Sequence, residues 1–153
     1  MKKPLIVLTG PTAVGKTRLS ISLAKAIGGE IISADSMQVY KYMDIGTAKA
    51  TKEEMRGIPH YLVDELYPDE EYNVMLFQQK AKQYMEGIYS RGHIPIIVGG
   101  TGFYINALVY DNDFSEEEES EIRKELYAIA ENEGAEKLHA MLAEVDPEYA
   151  ANI

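Results

Sequence analysis

Eight consecutive residues constrain this chain more than any others: Gly10-Pro11-Thr12-Ala13-Val14-Gly15-Lys16-Thr17. They match the pattern of a glycine, four free positions, Gly-Lys, and then Ser or Thr. Residues 5–9 before them form a short apolar run with β-branched members, which reads as a buried parallel strand. After them, Leu19, Leu23, Ala24 and Ile27 fall at helical spacing, and Gly28-Gly29 ends that helix. Residues 30–33, with Ile31 and Ile32, read as a second strand. Strand, glycine turn, helix and strand make a βαβ unit, whose crossover is expected to be right-handed. In such a unit the glycines let the loop curl until successive backbone N–H groups point inward, and together with the helix N-terminus they form an anion nest. Lys16 adds a point charge for phosphate oxygens, and Thr17 offers a hydroxyl to phosphate or Mg²⁺. All eight residues are therefore phosphate-binding candidates. The motif does not choose among ATP, GTP and a prenyl diphosphate, which all carry chained phosphates.

The rest of the chain divides in two. Residues 34–72 are irregular, broken by Pro59, Pro68 and several glycines, with Tyr61-Leu62-Val63 as a candidate third strand. Residues 73–91 form the clearest helix. Asn73 is a suitable N-cap, Val74, Phe77, Ala81, Tyr84 and Ile88 share a face, and Gly92 supplies the stop. Residues 94–98 read as another buried strand, followed by Gly99-Gly100-Thr101-Gly102 and a short helix over 103–109. After Asp111 the character changes. Helices are expected over 116–133, with Ile122, Leu126 and Ile129 on one face and Gly134 as C-cap, and over 135–145, with Leu138, Met141, Leu142 and Val145. Asp146-Pro147 then reads as an N-cap followed by Pro at the first helical position. Only six residues remain, so a truncated chain is the expectation. The fold class is α/β: a P-loop NTPase-like core with a parallel sheet flanked by helices over 1–111, incomplete in its later elements, and further helices over 112–153.

Composition narrows the chemistry. The 153 residues suffice for a core, and no apolar run approaches the roughly 20 residues that span a bilayer. The absence of cysteine excludes disulfides, thiolate nucleophiles and cysteine-ligated zinc, and fits a cytoplasmic location. A net charge of -10 argues against nucleic acid when taken alone, because phosphate backbones call for Lys and Arg. The acid is unevenly spread, with a dense run over 115–121 that reads as a solvated helix start. Arg18, Arg56, Arg91 and Arg123 are the only arginines, too scattered for an ATP lid. His60, His93 and His139 lack metal-ligand spacing and are expected to be structural or exposed.

Ligands of open α/β sheets sit beyond the C-terminal ends of parallel strands. Three segments meet that description: the P-loop, residues 33–38 and residues 99–102. Asp35 should therefore lie near the phosphates, where a carboxylate can hold Mg²⁺ or accept a proton; alternatively it is a turn or N-cap acid. Gln38 carries both a donor and an acceptor for a base edge. Thr101 sits where flanking glycines permit close approach of a ligand, or else caps the next helix.

Five segments together resemble the tRNA dimethylallyltransferases. They are the P-loop, the run from Ile32 to Tyr40 (ISADSMQVY), Asp44-Ile45-Gly46-Thr47-Ala48-Lys49, the run from Ile58 to Asp64 (IPHYLVD), and the run from Val98 to Tyr104 (VGGTGFY). Their order and spacing match the family across essentially the whole chain. The resemblance implies transfer of a dimethylallyl group from dimethylallyl diphosphate to N6 of adenosine 37 in the anticodon loop of tRNA. Diphosphate is then held by the P-loop with Mg²⁺, and Thr17 is the metal-side hydroxyl. It implies Asp35 as general base, with Lys16, Thr17 and Thr101 as its catalytic companions. It further implies that Asp35, Ser36, Met37, Gln38, Thr101 and Arg123 contact tRNA, and that the helices over 112–153 begin a tRNA-embracing insertion. The expected partners are dimethylallyl diphosphate and a tRNA anticodon stem-loop, with no membrane and a monomeric state. Family members run to about twice this length, so most basic tRNA contacts are expected outside these residues. A small P-loop kinase, an adenylate isopentenyltransferase and a phosphate-binding fragment without activity are the competing readings.

Overall fold

Ile31 and Ile32 are neighbours in sequence, yet they build two different cores. The computed structural model describes residues 3–111 and 121–153, the side chains of Glu121 and Arg123 excepted. In it, four strands, β1 (Ile6–Thr9), β2 (Gly29–Ser33), β3 (His60–Tyr61) and β4 (Ile94–Gly99), form a sheet in the order β1-β4-β2-β3, every pair parallel. Successive residues of a strand face opposite sides of the sheet. On one side Ile31 pairs with Ile96, and both pack with Ile21 and Ala24 of α1 (Lys16–Ile27). On the other side Ile32 pairs with Ile97, and both pack with Phe77, Ala81 and Ile88 of α3 (Val74–Ser90) and with Ile105 of α4 (Gly102–Val109). Covering both faces is what a continuous apolar run requires, and all five β2 residues are buried.

Helix boundaries follow local chemistry. α1 begins at the glycine of the phosphate loop and stops where Gly28 turns left-handed, its N–H donating to Ala24 O. α3 begins where Asn73 Oδ1 accepts from Leu76 N at 3.0 Å. A four-residue helix, α2 (Lys52–Met55), was not expected from periodicity. It is held by a capping box between Thr51 and Glu54, visible as T-x-x-E.

Two expectations need correction. The third strand is His60–Tyr61, because Leu62 adopts φ 61° and leaves the ladder, its side chain still fully buried. β1 is only half-buried: among the described strands it is one of the two at the sheet edges, with β3 at the other, and Val7 is exposed. The βαβ unit spans a gap of one strand, since β4 inserts between β1 and β2. Glu30, at the start of β2, is a buried acid that periodicity reads as ordinary. Arg91 holds it with Nη2 at 2.7 Å and Nε at 3.2 Å, and the Tyr61 hydroxyl donates to it at 3.3 Å. This brace locks the end of α3 to the N-terminal end of the sheet, opposite the strand ends that carry the glycine motifs.

The chain divides into two compact units, Met1–Asp113 and Phe114–Ile153. In the second, α5 (Glu121–Glu133), α6 (Ala135–Val145) and α7 (Pro147–Ala150) follow one another. Gly134 separates the first pair at φ 86°, and Asp146 Oδ1 caps α7 by accepting from Tyr149 N at 2.9 Å. Ile122, Leu126 and Val145 are exposed. The acidic run expected to start a helix lies outside the described residues, apart from the backbone of Glu121.

Candidate functional site

The phosphate loop is built by backbone conformation. Gly15, at φ 90°, is the N-cap of α1 and contributes no side chain to it, so the first-turn N–H groups have no side-chain acceptor. Ala13 also adopts a positive φ, 60°, which is uncommon for a residue with a Cβ and marks a loop held by its context. Uncapped N–H groups at the positive end of a helix favour an anion. Lys16 Nζ donates to Gly10 O at 2.7 Å and to Pro11 O, which keeps the ammonium over the loop with a third proton for a ligand. The Thr17 hydroxyl makes no hydrogen bond to a described residue.

Glycines bring the other strand ends to this loop. A Cβ on Gly99 would stand 2.5 Å from Ala34 O, and one on Gly100 would stand 3.6 Å from Gly10 O. The end of β4 can therefore lie against both the segment after β2 and the P-loop only with glycine at position 99. Asp35 follows Ala34 directly. Its Oδ1 accepts from Met37 N at 2.8 Å and Gln38 N at 3.2 Å, so it is a turn acid by one oxygen. Its Oδ2 has no partner among the described residues and is free for chemistry. The turn thus orients the carboxylate instead of consuming it.

A cavity of about 560 Å³ joins these pieces. Thr12, Ala13, Gly15, Lys16 and Thr17 line one side, and Ser33, Asp35, Met37 and Gln38 line another. Gly99 and Gly100 close it between them. Gly10, Pro11 and Val14 shape the loop without lining the cavity, and Ser36 is also outside the lining. Thr101 is one residue beyond the lining, at the N-cap of α4, and its side chain makes no capping hydrogen bond. Arg123 lies on α5 in the second unit, with its side chain outside the described residues.

Sequence reasoning missed two wall segments. Gly46, Thr47, Ala48 and His60 all line the cavity. His60, expected to be structural or exposed, does hold a structural bond, with Nδ1 2.8 Å from Ile58 O. That contact requires the proton on Nδ1 and leaves Nε2 as the free acceptor. Burial pushes its pKa down, against the opposing pull of that carbonyl, so it is neutral. The signal for these walls was only the segment spacing, because no local rule predicts that 46–48 folds back over Gln38.

The donor set fits magnesium. The Thr17 hydroxyl lines the cavity beside the phosphate loop, and no group of three acids or histidines that could cage a metal exists among the described residues. Mg²⁺ takes few protein ligands and completes its shell with water and phosphate oxygens, which such a sparse site permits.

Comparison with known proteins agrees with this geometry. The family model described as IPP transferase matches residues 38–153, and that described as Isopentenyl transferase matches 3–70. A tRNA dimethylallyltransferase of Lachnoclostridium phytofermentans is 62% identical over 99% of this chain and 49% of its own length. That of Bacillus subtilis is 52% identical over 99% and 49%. Among solved structures, the full-length tRNA isopentenylpyrophosphate transferase of Bacillus halodurans aligns with a TM-score of 0.74 at 46% identity, covering 99% of this chain and 50% of that one. A eukaryotic dimethylallyltransferase captured acting on tRNA aligns with a TM-score of 0.81 at 36% identity, covering 99% and 38%. The chain spans about half the length of the curated relatives it matches.

Proposed function

This chain belongs to the IPP transferase family, and from that premise we propose that it forms the diphosphate- and adenine-binding core of a tRNA dimethylallyltransferase. The observation that carries the reading is that Lys16, Thr17 and Asp35 line one cavity. A diphosphate seated on the loop meets the α1 N–H groups and the Lys16 ammonium, with Thr17 as the hydroxyl that would hold Mg²⁺. When bound, that ion supplies positive charge against the leaving diphosphate. The adenine N6 lone pair forms the new bond to C1 of the dimethylallyl group. The C1–O bond breaks, and its electron pair leaves with the diphosphate. The N6 proton passes to the free oxygen of Asp35. Negative charge grows on the leaving group as the bond lengthens, and preorganised donors stabilise it as it develops.

The acceptor base must leave its stack to enter such a cavity, and an anticodon-loop base does so at low cost. Ser36, Met37, Gln38, Thr101 and Arg123 are the proposed tRNA-side residues, with adenosine 37 as the acceptor. The helices of the second unit are proposed to begin the insertion that grips the stem-loop. Action as a monomer on cytoplasmic tRNA completes the reading. No helix among the described residues is long and apolar enough to cross a membrane.

The test joins this chain to the C-terminal half of the Lachnoclostridium relative and supplies dimethylallyl diphosphate, Mg²⁺ and an anticodon stem-loop. Prenylated adenosine in the digested RNA is expected. A folded chimera that leaves the RNA unmodified, while the intact relative modifies it, would overturn the proposal.

A further inference from the structure

Lys49 is the most completely engaged cation among the described residues, and the reaction as drawn does not use it. Its side chain is only 6% exposed. An ammonium has three protons, and each finds an acceptor: Tyr40 O, Asp44 Oδ1 at 2.9 Å and Asp64 Oδ1 at 2.6 Å. Burial alone would lower its pKa, but the two carboxylates outweigh that and leave it raised, so the group is charged. The tie gathers three points of the chain. Asp64 N also donates to Gln38 O at 3.0 Å, and Tyr40 bridges to Leu66. The Thr47 hydroxyl donates to Met43 O at 2.6 Å within the same loop. Ala48 and Asp64 both sit at positive φ, 51° and 53°, strain that a tertiary tether must hold in place.

What the tethered loop presents to Gln38 is a pair of carbonyls. Gln38 Nε2 donates to Thr47 O at 2.9 Å and, at 3.4 Å, to Ala48 O. Gln38 Oε1 accepts from the Ser33 hydroxyl at 2.9 Å. A glutamine amide can present either end to a ligand, and its neighbours decide which. Here both amide protons are spent on the loop, and the oxygen keeps a second lone pair. We propose that Lys49 is a positioning residue: by pinning residues 44–49 it fixes the Gln38 amide as an acceptor toward the cavity, which selects a base edge bearing an amino group over one bearing a carbonyl. The inference rests on the adenine-binding reading above. Adenine offers an N6 amine where hypoxanthine offers a carbonyl oxygen, so the same geometry that welcomes one repels the other.

The test uses ¹⁵N-labelled 153-residue chain. In the unsubstituted protein the Gln38 side-chain amide should exchange slowly, and adenosine should bind about tenfold more tightly than inosine, the scale of one base-edge contact. Lys49→Met should bring the Gln38 amide to fast exchange and reduce the adenosine preference to within twofold. Diphosphate affinity should change less than twofold. Asp44→Asn, at a carboxylate already 70% exposed, keeps the test alive if Lys49→Met does not fold; it should cut the preference about threefold. A folded variant with unchanged Gln38 exchange and unchanged base preference would overturn the inference, as would absence of preference in the unsubstituted chain. Failure of the prenyltransferase reading shows separately, as loss of diphosphate binding in the unsubstituted chain.

Discussion

The two walls of the cavity are made by opposite means. The wall formed by residues 10–17 is backbone: a left-handed Gly15, a strained Ala13 and the uncapped first turn of α1. The wall formed by residues 34–49 is tether: Asp35 bound to its own turn, Gln38 bound at both ends, and Lys49 joining positions 40, 44 and 64. The first suits a ligand whose charge is the same from every side. The second suits one whose hydrogen-bonding edge must be read. A diphosphate and a nucleobase, the ligands proposed above, would be such a pair.

Substitutions should therefore separate the two walls. The largest effect is expected at Asp35. Asp35→Asn in the chimeric transferase should lower the rate of transfer by about 10²–10⁴, the range for loss of a general base, with diphosphate affinity within twofold of the parent. Unchanged turnover would remove Asp35 from the mechanism, and lost diphosphate binding would mean the walls are not separable. Next, Lys16→Met removes a charge-assisted hydrogen bond worth about 1.5–3 kcal/mol. Calorimetry should show diphosphate binding weakened roughly 10- to 150-fold, with adenosine binding kept. A third change strikes both walls at once. Gly99→Ala places a methyl group against Ala34 O and should destabilise the fold by about 1–3 kcal/mol in urea unfolding, as overpacking does. An unaltered midpoint would show that the strand ends are not in close contact. The smallest effect concerns His60, whose pKa is lowered by burial from 6.5. The unfolded chain then binds the proton more strongly, so the stability of the neutral form is complete above pH 6.5 and declines as pH falls through that value toward the lowered one. Stability should therefore fall on acidification across that window, and His60→Gln should flatten the dependence.

The same contrast explains what could be read from the sequence. Glycine spacing specifies backbone conformation locally, so the P-loop, both limits of α1, the Asn73 cap and the Asp146-Pro147 start all stand where the residues placed them. Asp35 was assigned to the strand end by the same rule, and the structure puts it on the cavity wall. Strand order was not legible, because whether β4 lies beside or beyond β1 depends on which hydrophobic faces meet across long separations. The extent of β3 is not legible because Leu62, buried as a strand residue would be, adopts a positive φ for which no glycine gives warning. The places of Lys49 in the tether and of His60 in the cavity wall are not legible for a related reason. A lysine in an irregular segment looks solvated until Asp64, fifteen residues on, is seen beside it.

The most direct test of the central claim is calorimetry on the 153-residue chain with Mg²⁺, comparing dimethylallyl diphosphate with ATP. Dimethylallyl diphosphate should bind at least as tightly as ATP, be displaced by inorganic diphosphate, and lose affinity in Lys16→Met. ATP binding far more tightly, with adenosine competing for the same site, would contradict the account and return the cavity to a kinase.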